Sequence, residues 1–352
     1  KLVSSDGTKP YYLAYSVYEE NTAQVFATLG ALLDSSSDKS RDLNIDLRVG
    51  SYELDNTHQI RGRMGSDRFY GSGNIPLAIE DNADSIRHAL WFYTDREFKS
   101  ATRRLEQIRT NLKVKVEEED QSHDFTREEA SVHLEPTVAL EFDAGAWAER
   151  LRRISAIARD FPLIYSSRVG ISAYAGNRYM VTSEGTRLQT AQMRFRITME
   201  AGTKAEDGMD LSQFSDFNTA TADRLPTDAE IEAAFRQVIA QVLALREAPL
   251  VEPYTGPAIL RNRASGVFFH EIFGHRIEGH RQKDVTEGQT FTKKINQPVL
   301  PDFISVYDDP TVAREGDIDL RGHYLFDDEG VKSTRAELVQ NGILKTFLLS
   351  RS

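Results

Sequence analysis

Three side chains within six residues are the ones in this chain best suited to metal chemistry. His270, Glu271 and His275 form the pattern H-E-x-x-x-H, which is one residue longer than the H-E-x-x-H pattern of many zinc proteases. Neutral imidazoles bind Zn²⁺ well, and a metal with an open position lowers the pKa of the water that it binds. We predict that the two histidines bind Zn²⁺, that metal-bound water is the nucleophile, and that Glu271 is the general base that takes its proton.

An ordinary helix offers an alternative interpretation of the same residues, which would then be polar side chains joined in a His–Glu pair. Short patterns of this kind recur by chance. The apolar residues around the pattern, and the His, Glu and Gly composition that continues to His280, favour the metal.

The extra residue in the pattern changes the geometry of the two imidazoles. Residues i and i+4 of an α-helix differ by about 40° around the axis, whereas i and i+5 differ by about 140°. Both rings can bind one metal only where the helix ends or bulges between them, and Gly274 permits such a distortion. We predict a helix over residues 263–275 that is distorted near Gly274. We also predict that it is largely buried, through Phe268, Phe269, Ile272 and Phe273.

A third protein ligand would complete a catalytic zinc site, and several residues after the pattern are candidates. These are Glu278, His280, His323, Asp327 and Asp328. Each is more readily explained as a surface side chain or as a group that supports a ligand. The run from Asp327 to Gly330 lacks the alternating oxygen ligands of a calcium loop, so we predict a turn there.

The elements before this segment are predicted from the spacing of apolar residues. Alternation of apolar and polar residues predicts strands in the 11–55 and 162–200 regions, with the turn of the first pair at Ser35–Asp38. Helical spacing predicts two helices between residues 86 and 112, the second beginning at a capping box formed by Thr94 and Glu97.

Two further helices and a loop are predicted in the middle of the chain. Trp147, Leu151 and Ile154 lie on one face of an amphipathic helix, and residues 201–225 have the composition of a loop. A second capping box, at Thr227 and Glu230, begins a helix after Pro226. We expect that helix to bury Ile231, Phe235, Val238, Val242 and Leu245.

These elements predict an α+β protein of three units. Residues 1–113 form an N-terminal α+β domain with an antiparallel sheet, and 114–225 a middle α+β domain. Residues 226–352 form a β-rich C-terminal domain that carries the metal-site helix. The charged stretch Glu117–Asp120 is predicted to be a solvated linker or edge.

Composition excludes several functions. The chain of 352 residues has 43 Lys and Arg against 54 Asp and Glu, which gives a net charge of −11, so nonspecific nucleic-acid binding is not expected. It contains no cysteine, which excludes Cys-ligated metals within these residues. No apolar run reaches the roughly 20 residues of a membrane-spanning helix. The chain begins at Lys1 and ends directly after a strand-like run, so we interpret it as a fragment with an incomplete C-terminal domain.

Several motifs in one order resemble those of the TldD/PmbA (TldD/TldE) family of metallopeptidases. They are His270-Glu271-x-x-Gly274-His275, Tyr254-Thr255-Gly256-Pro257-Ala258-Ile259-Leu260, Asp327-Asp328-Glu329-Gly330, Asn341-Gly342-Ile343-Leu344-Lys345 and Ser350-Arg351. The resemblance is specific from about residue 250 onward, and the preceding residues match only in overall layout.

The resemblance implies a zinc-dependent peptidase that acts on unfolded or short peptides enclosed in a homo- or heterodimer of family members. It maps the zinc ligands onto His270 and His275 and the catalytic base onto Glu271. The third ligand of the family is a cysteine far downstream, which this chain lacks: either it lies beyond Ser352 or this member differs. Partner subunits of the family lack H-E-x-x-x-H, so the pattern implies the active type of subunit.

Two other functions remain open alongside the peptidase. One is a non-catalytic scaffold or peptide-binding subunit with an incomplete metal site, and the other is a metal-dependent amidohydrolase of non-peptide substrates. The resemblance implies a cytoplasmic location, while the absence of an initiator Met and of Cys would also suit an exported, processed form. No nucleic-acid or membrane partner is expected.

Overall fold

The computed structural model describes residues 2–4, 7–58, 73–113, 122–283 and 290–351. Its helices are α1 (Ala83–Leu112), α2 (Ala144–Ser155), α3 (Asp228–Glu247), α4 (Asn262–Ile272) and α5 (Gly279–Lys283). Its long strands are β1 (Pro10–Thr28), β2 (Ala31–Val49), β5 (Ser166–Thr182), β6 (Arg187–Lys204) and β7 (Asp210–Thr219). The short strands are β3 (Ile75–Pro76), β4 (Val132–Leu134), β8 (Val306–Asp308), β9 (Arg314–Glu315), β10 (Ile318–Asp319), β11 (Ala336–Gln340) and β12 (Ile343–Leu344).

One seven-stranded sheet organises the first two thirds of the chain. Its order is β3-β2-β1-β5-β6-β4, with β7 also paired to β6. Every pairing is antiparallel except that of β4 with β6. The α+β class and the strands in the 11–55 and 162–200 regions are therefore confirmed. The pairing of β1 with β5 joins the predicted N-terminal and middle domains, whose boundaries remain predictions, and the linker Glu117–Asp120 lies outside the described residues.

The turn between β1 and β2 differs from the predicted one. It lies at Leu29 and Gly30, whose φ angles are 47° and 78°, and two consecutive positive φ angles are what a tight two-residue hairpin requires. The predicted turn at Ser35–Asp38 lies inside β2, paired with β1. The prediction was wrong because Gly30 is the one local turn signal here, and the leucine before it is uncommon at positive φ.

A single helix replaces the two predicted between residues 86 and 112. The Thr94 hydroxyl lies inside α1 and bonds to the Leu90 carbonyl at 2.5 Å, so it does not cap a new helix. The amino-terminal cap is Asn82, whose side chain accepts from two backbone N–H groups. Phe98, Ala101 and Leu105 form a core with β2, and this packing continues through the position where a break was expected.

The predicted loop at residues 201–225 is largely strand. β6 continues to Lys204, and ten residues of β7 pair antiparallel with it. Most side chains of β7 are only half-buried or exposed, so its sequence carries little apolar alternation. Its backbone hydrogen bonds come from the preceding strand β6, a pairing that a polar composition does not reveal.

Helices α2 and α3 cover the sheet and form the largest core of the described residues. The capping box at the start of α3 is confirmed: Thr227 N donates to Glu230 Oε2 at 2.8 Å, and Glu230 N donates to Thr227 Oγ1 at 3.4 Å. The predicted stripes are buried, apart from an exposed Leu245. In this core, residues of both helices pack against residues of β1, β5, β6 and β7. Among its members are Trp147, Leu151, Ile154, Phe235, Val238, Val25, Ile171, Ile197 and Leu211.

A small sheet of order β12-β11-β8 forms the framework of the C-terminal region. Leu338, Val339 and Leu344 pack there against Phe273 and Ile277, which follow α4. None of the helices in the described ranges is both long and apolar enough to cross a membrane.

Ion pairs connect the C-terminal region to the large sheet and its turns. The buried Arg48 guanidinium of β2 reaches Asp55 at 3.3 Å and Glu329 at 3.4 Å. The Arg351 guanidinium pairs with Glu184 at 2.8 Å.

Candidate metal centre

The helix that carries the candidate ligands ends between them. α4 stops at Ile272, and a 3₁₀ turn over Gly274–Arg276 follows. Phe273, between the two, has φ −122° and ψ −51°, outside the α-helical region. This confirms the distortion expected near Gly274, because a continuous helix would have turned the two imidazoles about 140° apart.

The interruption brings the three predicted site residues together. The rings of His270 and His275 have centroids 4.4 Å apart and cross at 68°. Ligand atoms of His270, Glu271 and His275 all lie within 4.8 Å of one another, and Glu271 Oε2 is 3.9 Å from His275 Nε2. Among the residues that the structure describes, His270, Glu271 and His275 are the potential metal ligands that come together in one place.

This donor set fits zinc. Two imidazoles and a nearby carboxylate are among the donors that catalytic zinc sites use, and such sites keep a position open for water or substrate. His270 and Glu271 are exposed, while His275 is partly buried. The group therefore faces solvent, where a substrate can reach it.

Glu278 orients the second imidazole. Its Oε1 lies 2.7 Å from His275 Nδ1, and Arg281 Nε donates to its Oε2 at 2.5 Å. Partial burial alone would raise the pKa of Glu278, but the hydrogen bonds from Arg281 and His275 lower it below its usual value. An ionised carboxylate can only accept a hydrogen bond, so Glu278 favours the His275 tautomer with its proton on Nδ1, which leaves Nε2 as the nitrogen that can bind a metal.

The other candidates for a third ligand lie apart from the three converging residues. His280 is exposed, with its Nε2 3.6 Å from Glu278. His323 Nδ1 bonds to the Pro310 carbonyl at 2.8 Å. Asp327 Oδ1 accepts hydrogen bonds from two backbone N–H groups of its own segment, which confirms the turn predicted at 327–330. Asp328 lines a cavity beside the large sheet, away from these ligand atoms.

The predicted burial of the helix was wrong. No residue of α4 is buried, and Phe268, Phe269 and Ile272 are 37–48% exposed. Of the four apolar residues expected to be buried, Phe273, which follows the helix, is the one that is buried; its side chain is 3% exposed. Apolar spacing predicted a covered helix, but α4 meets the C-terminal core only at its carboxyl end, so no described element covers its apolar side.

Sequence reasoning found the three converging residues, and it considered Glu278 either as a third ligand or, more readily, as a surface side chain or a group that supports a ligand; in the structure Glu278 contacts His275. The signal was present, because Glu278 follows His275 by three residues. Residues three apart can approach each other at a helical turn, and metal-binding histidines usually donate their second N–H to a carboxylate or carbonyl.

Comparisons with known proteins find relatives that are named metalloproteases. Residues 253–352 match the family model described as the PmbA/TldA metallopeptidase C-terminal domain. A metalloprotease from Methanocaldococcus jannaschii is 29% identical over 190 residues, 53% of this chain and 40% of that protein. A zinc metalloprotease TldD homolog from Saccharolobus solfataricus is 31% identical over 121 residues, 32% of this chain and 26% of that protein. The chain therefore spans less than half the length of these relatives.

Solved structures share the fold at low identity. TldE from Thermococcus kodakarensis has a TM-score of 0.56 at 16% identity, covering 96% of this chain and 66% of that one. A candidate modulator of DNA gyrase from Bacteroides thetaiotaomicron has a TM-score of 0.60 at 12% identity, covering 97% and 68%. At these identities the likeness concerns the architecture alone.

Proposed function

The chain belongs to the PmbA/TldD metallopeptidase family, and from that premise we propose that it is the catalytic type of subunit of a zinc-dependent peptidase. The observation that carries the proposal is the convergence of His270, Glu271 and His275 where α4 ends. The names of the relatives support the reaction class, and the distances among the three side chains support the role proposed for each.

His270 and His275 would hold the zinc ion, which when bound supplies a Lewis acid that polarises a carbonyl and lowers the pKa of water. Glu271, 3.9 Å from His275 Nε2, would accept a proton from the attacking water and later pass it to the leaving amine. Glu278 would keep His275 in the orientation and tautomer that present Nε2. The Glu271 carboxylate is exposed, so it can exchange protons with solvent between cycles.

The proposed substrates are unfolded or short peptides, and the proposed assembly is a dimer with a second copy or with a family relative. The exposed apolar side chains of α4 support an assembly, because large exposed apolar residues in one region commonly mark an interaction surface. The shared architecture with TldE is compatible with a family partner of that type.

A non-catalytic, peptide-binding scaffold is the second candidate. The observation that favours it is the ligand count: the chain contains no cysteine, and only two histidines and the proposed base converge in the described residues. An incomplete site of this kind would bind metal weakly and would not hydrolyse peptides.

The test is the substitution Glu271→Gln, measured by bound zinc and by cleavage of an unfolded-protein substrate. Both imidazoles remain, so zinc should stay bound, while the amide cannot accept the proton. Hydrolysis should fall about 10²–10⁴-fold, the usual contribution of general acid–base catalysis. Glu252→Gln is the matched control, because Glu252 is exposed in the segment before α4 and should keep full activity.

Two results would decide against the proposal. Near-normal turnover of Glu271→Gln with zinc present would show that Glu271 is not the base. A wild-type protein that binds no zinc would favour the scaffold.

A further inference from the structure

A large cavity lies on the sheet, apart from the metal centre. Its volume is about 1040 Å³, at the upper end of the range for small-molecule sites. It is lined by residues of β1, β2, β5, β6 and β7, and by the β9–β10 hairpin with the residues up to His323. A space of this size accommodates several residues of a peptide.

Asp319 anchors the β9–β10 hairpin that lines the cavity. Its Oδ2 accepts from Ala220 N at 2.8 Å, and its Oδ1 pairs with Arg224 and with Arg314. The Ala220 hydrogen bond and the Arg224 guanidinium hold the pKa of Asp319 below its usual value. The ionised carboxylate of Asp319 therefore holds the β9–β10 hairpin against the residues that follow β7.

The lining is basic although the protein is acidic. Five arginines line the cavity against only two carboxylates, Asp38 and Asp319, in a chain whose net charge is −11. The five are Arg194, Arg196, Arg224, Arg314 and Arg321.

Three of these arginines are already paired. Arg196 pairs with Asp216, and Arg224 and Arg314 share Asp319. Arg194 and Arg321 form no ion pair with any residue of the described ranges, so two positive charges face the cavity without a carboxylate partner.

Arg194 is held in a fixed position within the lining. Its guanidinium lies 4.8 Å from the centre of the Tyr174 ring, and one NH₂ donates to Gln192 at 2.9 Å. Its Nε is buried and has no hydrogen-bond partner in the described part of the chain. The Tyr174 hydroxyl donates to Glu20 at 2.9 Å, and burial together with this bond raises its pKa to about 12. The ring is thus fixed, and it orients the cation.

We propose that this cavity binds an acidic segment of the peptide substrate through Arg194 and Arg321. The inference rests on the proposed peptidase function and names the substrate class. Planar guanidinium groups match carboxylates in paired, charge-assisted hydrogen bonds. The serine, threonine and asparagine side chains among the lining residues can bond to a peptide backbone.

A nucleic acid fits the same cavity less well. Single strands bind to grooves in which aromatic rings stack on successive bases. The aromatic residues of this lining are Tyr174 and Phe195. Arg194 lies over the Tyr174 ring, and Phe195 is buried, so the lining offers no such series of rings.

The experiment measures binding of fluorescein-labelled hexaglutamate by anisotropy. It uses the Glu271→Gln protein, so that the probe is not cleaved. Arg194→Gln should weaken binding by about tenfold or more, the usual effect of losing a hydrogen bond to a charged group. Arg321→Gln, at an exposed position, should weaken it in the same direction, and it tests the claim even if the Arg194 variant fails to fold. Arg87→Gln on α1, exposed and outside the cavity, is the matched control and should bind as the parent does.

Three results would overturn the proposal: unchanged hexaglutamate binding in both cavity variants, equal binding of hexalysine, or equal binding of a six-nucleotide oligothymidylate. Because the assay needs no hydrolysis, it separates the two claims. If hexaglutamate binding depends on the arginines but the wild-type protein does not hydrolyse peptides, the cavity proposal is supported and the proposed function is contradicted. If the wild-type protein hydrolyses peptides but binding does not depend on the arginines, the proposed function is supported and the cavity proposal is contradicted.

Discussion

The large sheet and helix α4 are held in the molecule in opposite ways. Where α2 and α3 cover the sheet, side chains such as Leu151, Ile154 and Phe235 are completely buried. No residue of α4 is buried, although this helix carries the candidate metal ligands. Burial of apolar surface is the main source of stability, so the fold depends on the first region, whereas the chemistry that we propose depends on the second. The two can therefore be perturbed separately.

Few contacts attach α4 to the rest of the molecule. At its start Arg263 pairs with Asp216 of β7 at 2.5 Å, and just after its end Phe273 enters the C-terminal core. Burial would raise the pKa of Asp216, but hydrogen bonds from Asn218 and Arg263 and the nearby Arg196 lower it, so this carboxylate is ionised at neutral pH. An element fixed at both ends can hold a precise turn at Gly274 while its middle faces solvent.

The two regions should differ most in the free energy of unfolding that is lost when a phenylalanine in each is replaced by alanine. Phe235→Ala removes a completely buried ring and should lower the free energy of unfolding by about 3–5 kcal/mol. Phe268→Ala removes a ring that is about half exposed, and should change that energy by about 0.5 kcal/mol or less. Urea denaturation measures both. Equal destabilisation by the two substitutions would show that α4 is packed as firmly as the sheet.

The ion pair between Glu184 and Arg351 should stabilise the join between sheet and C-terminal region in a pH-dependent way. Burial would raise the pKa of Glu184, but hydrogen bonds from Arg351 and Tyr52 lower it below its usual 4.5. Its stabilisation is therefore fully present above about pH 4.5 and is lost as pH falls through the lowered pKa. Glu184→Gln should cost about 1.5–3 kcal/mol at pH 7.

The measurement compares urea denaturation of wild type and Glu184→Gln at pH 7 and at pH 3. The difference between the two proteins should shrink at the lower pH, where the wild-type carboxyl gains its proton. A difference that stays constant or grows with acidity would contradict the lowered pKa. Glu129→Gln, an exposed position in the same region, should show no difference at either pH.

Glu278 should affect the metal centre without affecting the fold. Glu278→Gln removes the carboxylate that accepts from His275, and loss of such a partner typically costs 10–100-fold in metal affinity. Competition titration with a zinc-binding dye measures the change, with Glu252→Gln as control. An unchanged affinity would mean that His275 does not depend on Glu278 for its orientation.

Local patterns in the sequence predicted those parts of the fold that local interactions determine. Thr227 and Glu230 cap a helix because both partners lie within one turn, and Gly274 marks the end of α4 for a similar reason. The Leu29–Gly30 turn was missed because leucine rarely adopts a positive φ, and β7 was missed because its polar composition hides its pairing with β6. Sequence spacing could not show that the apolar side of α4 is exposed, because that depends on which elements pack against it.

The candidate site and the cavity also differ in whether local sequence determines them. His270, Glu271 and His275 could be named from their spacing alone, because all three lie within two helical turns. The cavity around Arg194 could not be predicted, because β1, β2, β5, β6, β7 and the β9–β10 hairpin each contribute residues to it. Chemistry built within one short segment is readable from the sequence, whereas a cavity assembled from distant strands requires the structure.

Zinc binding by the wild-type protein and by His270→Ala, measured by calorimetric titration and by metal analysis after dialysis, tests the central claim most directly. His88→Ala is the matched control, because His88 is an exposed histidine of α1. We predict that wild type and His88→Ala each bind about one equivalent of zinc, as expected of a single mononuclear site, whereas His270→Ala binds none and has lost peptide hydrolysis. Wild-type zinc binding by His270→Ala would contradict the account.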